Sequence, residues 1–421
     1  MSTPQMTAAQ TVRRTGRRTV ALLAGVYIID YIDRVMIAIA LPLIGAEFGL
    51  TRTEQGLVVS AFAIAYMLTQ IPGGLLADRV GARPLLVISL IAWSVFTAAT
   101  GLAPGLLVLL LLRALFGVAQ ALFPAASFKA LAERTTREAR TRSAGLMLAS
   151  NYVGAGLGPL IVAPLVVLAG WRHTFWLVAV GGLVVGIALW RLLPPALPRE
   201  LTEPDARTDA PAVPVSRVLR NGLVLRCALM FACFNMLNYG MMTWVPSYLV
   251  EARGMSLVAA GVSSAIPLLV TALGVVVGGT LMSRRFDADP RRLLVPALVV
   301  SAVLLVPMLL AESTTAFTVL QSLAMFSAAL AAIGIVGMPL RALPRDLVGS
   351  AMGVVNTGGQ LAGVLAPLVM GWLADRAGFG AAFGFLAVTT VAAALIALVT
   401  RPRTVSGTNV SGNVPVEEGI A

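Results

Sequence analysis

The sequence predicts an all-α membrane protein with twelve transmembrane helices in two six-helix, pseudo-symmetric halves. Three observations carry that reading. Of 421 residues, 58% are hydrophobic and only 12% charged, where a soluble domain carries about a quarter charged residues. Apolar runs of roughly 20 residues, long enough to cross a ~30 Å hydrocarbon core, recur along the whole chain. They lack the two-residue alternation of a barrel strand, so each closes its backbone hydrogen bonds as a helix.

The first six runs are 19–43, 55–77, 84–103, 105–128, 142–168 and 172–193. Residues 194–220, PPALPRELTEPDARTDAPAVPVSRVLR, hold six prolines among alternating charges. Such a stretch cannot pack a core and reads as a solvated linker. Six more runs follow at 222–249, 257–282, 292–311, 314–340, 347–372 and 379–400. The expected layout is therefore a basic N-terminus (1–18), one half (19–193), the linker (194–220), a second half (221–403) and a disordered tail (404–421).

The net charge of +12 belongs to topology and not to a nucleic-acid partner. With the N-terminus cytoplasmic, 25 of the 31 Lys and Arg fall on cytoplasmic segments. Arg52, Arg172, Arg253 and Arg376 lie outside, and Arg34 and Arg113 remain within the membrane. This is the positive-inside asymmetry, and it places both termini in the cytoplasm of a cell with its protein in the inner membrane. Arg13, Arg14, Arg17 and Arg18 precede an apolar run too long for a signal-peptide core, so the first span is expected to stay as an anchor.

Enzyme chemistry finds little support. His173 is the lone histidine, at an outer helix start, and leaves neither a metal cluster nor a Ser-His-Asp arrangement. Cys227 and Cys233 share the seventh run and read as apolar packing. The glycines of GAGLGP (154–159) sit mid-membrane with no preceding strand, which fits close helix packing and not a phosphate-binding loop. No metal or other cofactor is expected.

The chemistry lies in charges at bilayer depth. YIIDYIDRVMIAIA (27–40) sets Asp30, Asp33 and Arg34 mid-span, where a charge costs several kcal/mol unless it is paired or faces water. Arg34 and Arg113 each lie about nine residues from the outer end of their span, roughly 14 Å deep and near the midplane. Two guanidiniums there suit a carboxylate, or else they only neutralise Asp30 and Asp33. In FNMLNYGMMTW, Asn235, Asn238 and Tyr239 share one helical face, and Asn356 and Gln360 stand four apart in the eleventh run. Such faces line a cavity or hydrogen-bond between helices.

The halves echo each other. GGLLADRVGARP (73–84) follows the second run and GGTLMSRRF (278–286) the eighth, as expected of two repeats with a site between them. GWLADRAG (371–378) follows an odd-numbered run, faces the other side, and is a separate element. On Gly74, Asp78, Arg79, Gly81 and Arg83 the chain resembles the major facilitator superfamily, whose loop signature between helices 2 and 3 these residues match. The resemblance implies a charge cluster there that latches the halves on the cytoplasmic side. YIDRVMIAIALP (31–42), TQIPGGLLADRVG (69–81), LRALFGVAQALFP (112–124) and GWRHTFW (170–176) look more narrowly like the anion:cation symporter family of galactonate, hexuronate and phthalate-type permeases.

That narrower resemblance implies roles for single residues. Asp33 would titrate protons, Arg34 and Arg113 would contact substrate, and Tyr31, Tyr66 and Asn151 would shape the site. The family's second coupling acid, on helix 4, is replaced here by Gln120. Asp30 is additional to the galactonate-type pattern; either it has taken over that second role, or it only pairs locally and coupling is weak. The expected function is a secondary active transporter that moves a small organic anion by alternating access with proton symport. The alternatives are a proton-driven exporter of an acidic metabolite or drug, and an uncoupled uniporter. Expected partners are that anion, protons and the lipid bilayer, with a monomer as the working unit.

Overall fold

The computed structural model describes residues 8–198, 218–286, 289–343 and 345–400. The centre of the expected linker, the tail and the first seven residues lie outside that range. Ten helices follow one another: α1 (Ala8–Phe48), α2 (Arg52–Val80), α3 (Ala82–Thr100), α4 (Leu106–Ala132), α5 (Arg137–Leu192), α6 (Gly222–Glu251), α7 (Leu257–Arg285), α8 (Arg291–Leu310), α9 (Thr314–Ala342) and α10 (Arg345–Val399).

Nine of them, among the described residues, are long and apolar enough to cross a membrane. The exception is α1, which carries Asp30, Asp33 and Arg34 at its centre. Two helices are longer than any single span. α5 breaks at Gly170 (φ 78°) and α10 at Gly378 (φ 77°), in the left-handed region that glycine enters without a Cβ penalty. Those breaks fall where the sequence separates its fifth from its sixth run and its eleventh from its twelfth.

Start signals are conventional where the chain re-enters the apolar layer. Ser256 and Ser313 cap α7 and α9 through their hydroxyls, and Asn221 caps α6. Most helices carry an interior proline, such as Pro42, Pro124, Pro246, Pro267 and Pro339. Membrane helices tolerate these because neighbours re-satisfy the freed carbonyls. At the proline of α10, the Trp244 indole N–H of α6 donates to the Pro367 carbonyl at 3.0 Å and ties the two helices together. Cys227 and Cys233 are free and buried, as the composition predicted.

Helices α1–α5 pack mainly on one another, α1 against α5 and α2 against α4; α6 packs on α10 and α7 on α9. The two sets meet along α2 with α10, α5 with α7, and α1 with α6. The α2–α10 seam is wedge-shaped. Gly56, Ser60 and Ala63 on α2 are buried, as are Gly363, Pro367 and Gly371 on α10. A Cβ at Gly56 would stand 2.4 Å from the Pro367 carbonyl oxygen, and one at Gly371 2.4 Å from that of Arg52. Backbones approach this closely only where side chains are absent. Further along the same two stripes Met67, Gln70 and Gln360 are half-buried, and Ile71, Asp78, Asn356 and Gly353 are exposed. The sets are thus closed at the Arg52 end and parted at the Asp78 end.

Candidate functional site

Helical periodicity puts Asp30 and Arg34 one turn apart on α1, and they pair, Nε to Oδ2, at 3.3 Å with side chains 2% and 6% exposed. Arg34 is also boxed by aromatic rings. Its guanidinium carbon lies 4.5 Å from the Tyr66 ring centroid, 5.0 Å from Tyr31 and 5.3 Å from Phe62, a cation–π arrangement. The Tyr239 hydroxyl reaches it from α6, and Tyr152 of α5 lies within electrostatic range of both Tyr31 and Tyr239. Three of the six tyrosines in the chain thus meet at Arg34, from α1, α2 and α6. Arg34 therefore stands at the junction of the two helix sets.

Arg113 has a different setting. It is 1% exposed, donates from Nη2 to the Thr100 hydroxyl at 3.2 Å, and lies over Phe116 (4.4 Å) and Phe175 (5.7 Å). The opposite charge acting on it electrostatically is Asp33, which accepts from the Thr97 hydroxyl at 3.4 Å. These neighbours all belong to the first helix set. The four intramembrane charges thus sort into one ion pair at the seam, Asp30 with Arg34, and two charges behind it, Asp33 and Arg113, that feel each other without closing to ion-pair distance.

The polar atoms around these pairs are incompletely satisfied. Asp30 Oδ1, Asp33 Oδ2, Arg113 Nε, Asn151 Oδ1 and both amide atoms of Gln120 are buried with no protein hydrogen-bond partner. Each such atom costs about 1–3 kcal/mol if nothing fills the gap. A cluster of them marks a place for polar ligand, proton or water.

The remaining predicted residues fall into two groups. Asn235 and Asn238 return their amide N–H groups to their own helix, donating to the Phe231 and Phe234 carbonyls at 2.9 Å. Asn356 and Gln360 line the parted stretch of the seam. The loop signature lies at that same end: Gly81 turns the chain at φ 93°, Arg83 donates to the Trp190 carbonyl, and Arg79 is exposed. Asp78 pairs with Lys129 (3.3 Å), whose ammonium also meets the Ala77 and Asp78 carbonyls. In this conformation Asp78 turns to a partner in its own helix set. Sequence reasoning missed Phe62, Tyr152, Thr97, Thr100 and Lys129. Phe62 alone left a signal, one turn before Tyr66.

At the closed end, the Asp375 carboxylate accepts from the Arg52 amide (2.9 Å), the Thr53 amide (2.7 Å) and the Thr53 hydroxyl (2.6 Å). Arg52 pairs in addition with Glu251 at 3.1 Å. Burial works to raise the Asp375 carboxyl, but the Thr53 hydroxyl, the two amides and the Arg52 charge outweigh it and hold it below the ordinary carboxylate range. Glu47 is held low as well, chiefly by hydrogen bonds from Arg172 (2.6 Å) and the Trp171 indole (2.7 Å).

Comparison with known proteins places this geometry in context. The family model described as Major Facilitator Superfamily matches residues 23–289 and 282–417. A probable sulfoacetate transporter of Cupriavidus necator is 31% identical, covering 87% of this chain and 89% of its own. A hexuronate transporter of Bacillus subtilis is 29% identical over 86% and 88%, and a D-galactonate transporter of Escherichia coli 29% over 91% and 95%. Among solved structures, a bacterial homolog of the human lysosomal transporter Spinster, in an inward-facing and occupied conformation, superposes with TM-score 0.80 at 19% identity, covering 90% of this chain and 95% of that one.

Proposed function

The chain belongs to the Major Facilitator Superfamily, and from that membership together with the Arg34 site we propose that it carries a small organic anion by alternating access with proton symport. It is a multi-pass membrane transporter and not an enzyme. The proposed cargo is a sugar acid or another small carboxylate, in keeping with relatives named for hexuronate, galactonate and sulfoacetate. In this reading the helices form twelve spans in two halves, with the parted Asp78 end and both termini in the cytoplasm.

The observation that carries the reading is Arg34, a buried guanidinium at the junction of the two sets with one carboxylate and a ring of tyrosines around it. An incoming carboxylate competes with Asp30 for that guanidinium, and the tyrosine hydroxyls bind the rest of a polar anion. Binding that differs between the two protonation states is what couples anion to proton. Asp33, within the field of Arg113, and Asp30 are the proton-handling groups. Gln120, Asn151, Asn235, Asn356 and Gln360 shape the site beside Tyr31, Tyr66 and Tyr239. Gly74, Asp78, Arg79, Gly81 and Arg83 form the gating loop.

Uptake of labelled sugar acids and sulfonated acids into proteoliposomes tests this, with and without an inward proton gradient. Gradient-driven accumulation that Arg34→Ala and Arg113→Ala each abolish supports symport. Equilibration without accumulation supports a uniporter, and no uptake of any acid supports export.

A further inference from the structure

We infer that Asp375 is a conformational latch: its carboxylate caps the N-terminus of α2 from the other half, and the Arg52 end opens only when that cap is released. The inference rests on the alternating-access reading, and it gives a role to GWLADRAG (371–378), a look-alike of the gating loop that the transport site does not use.

The first backbone amides of a helix have no intrahelical acceptor. In α2, two are satisfied locally by a capping box: the Thr51 amide donates to Glu54 Oε2 at 2.8 Å, and the Glu54 amide to the Thr51 hydroxyl at 3.2 Å. The regular ladder begins with the Gln55 amide on the Thr51 carbonyl. Two amides are left, Arg52 and Thr53, and Asp375 accepts both. The sequence of α2 thus completes its own cap except at the two positions that α10 supplies. An anionic acceptor there is favoured by the helix dipole and forms charge-assisted bonds.

The surroundings are built for contact and release. Arg52 bridges to Glu251 of α6 and lies 4.8 Å over the Phe379 ring, just past the Gly378 break. Ser60, two turns further along α2, donates to the Val364 carbonyl at 2.6 Å and is fully buried. At the opposite end of α2, Asp78 is held by Lys129 of its own half. The two ends of α2 therefore meet different aspartates, Asp375 of α10 reaching across the seam at one end and its own Asp78 paired within its half at the other.

The test needs no substrate, so its failure and the failure of the anion reading are separable. In full-length protein carrying Cys227→Ala and Cys233→Ala, reconstituted in liposomes, single reporters Ser60→Cys (closed end) and Ile71→Cys (parted end) are labelled with a maleimide. Adding Asp375→Ala should speed labelling of the Ser60→Cys reporter about tenfold and slow that of Ile71→Cys, with Asp375→Asn and Thr53→Ala intermediate. Unchanged labelling at Ser60→Cys would overturn the latch. So would a rise at both reporters, which reports loosening and not a shift between two states.

Discussion

At the residue scale, the decisive feature is the difference between the two buried arginines. Arg34 has a charge partner one turn away and aromatic rings from α1 and α2, with the Tyr239 hydroxyl reaching across from α6. Arg113 is enclosed by groups of its own half. Arg34→Ala should therefore weaken anion binding on the order of 100-fold or more, the usual cost of removing one side of a desolvated charge contact. Titration calorimetry of purified protein with the transported acid measures it. Asp30→Asn should act in the opposite sense. It removes the internal competitor and leaves an uncompensated buried cation, so the anion should bind roughly tenfold more tightly and with a flatter pH dependence. Weaker binding in that variant would make Asp30 a positioning group for Arg34 and not its competitor. The charges themselves were legible in the sequence, because a carboxylate or guanidinium within an apolar run stands out. Tyr31, Tyr66 and Tyr239 were named from the sequence too, but their meeting around one guanidinium was not legible: they come from α1, α2 and α6, and spacing along a chain carries no information about which helices meet.

At the element scale, α2 and α10 show how close approach is encoded. Gly56 and Gly371 each let a backbone carbonyl of the other helix come within 2.4 Å of where a Cβ would sit. Gly56→Val should prevent the Arg52 end from closing and so abolish net uptake while leaving the helices intact; circular dichroism with uptake assays separates the two. The Asp375 contact carries a pH signature of known sign. Its carboxyl is held low in the latched state, so the latch is at full strength above the ordinary carboxylate value of about 3.9 and is lost as pH falls through the depressed value. Labelling of the Ser60→Cys reporter should therefore be independent of pH from 8 down to about 5 and rise only below about 4. The loop motifs were visible as sequence, but their partners were not. Asp375 and Thr53 are 322 residues apart, and Asp78 found Lys129 where the motif alone pointed across the halves.

At the scale of the whole molecule, the fold was the most legible part. Among the described residues ten helices form, nine of them long and apolar enough to cross a membrane, and the two glycine breaks fall between neighbouring apolar runs. The conformation was not legible, since spacing along a chain does not say which end of a seam between two helices is in contact. Spin labels at Ile71 and Gly353, facing each other across the parted end, should give a long distance in unliganded protein. A second, shorter population should grow when the transported acid is added at low pH. A single unshifted distance under both conditions would remove the rocking motion from the account.

Lys129 has one further consequence. It is the only lysine among 31 basic residues, and its side chain is 28% exposed beside Asp78. Every other side-chain cation is an arginine, inert to acylating reagents, so the protein carries one reactive amine besides its N-terminus. Amine-selective acylation thus addresses a single lysine, and the rate at which that amine is modified becomes a natural clock for how often its pairing with Asp78 breaks, with no residue replaced.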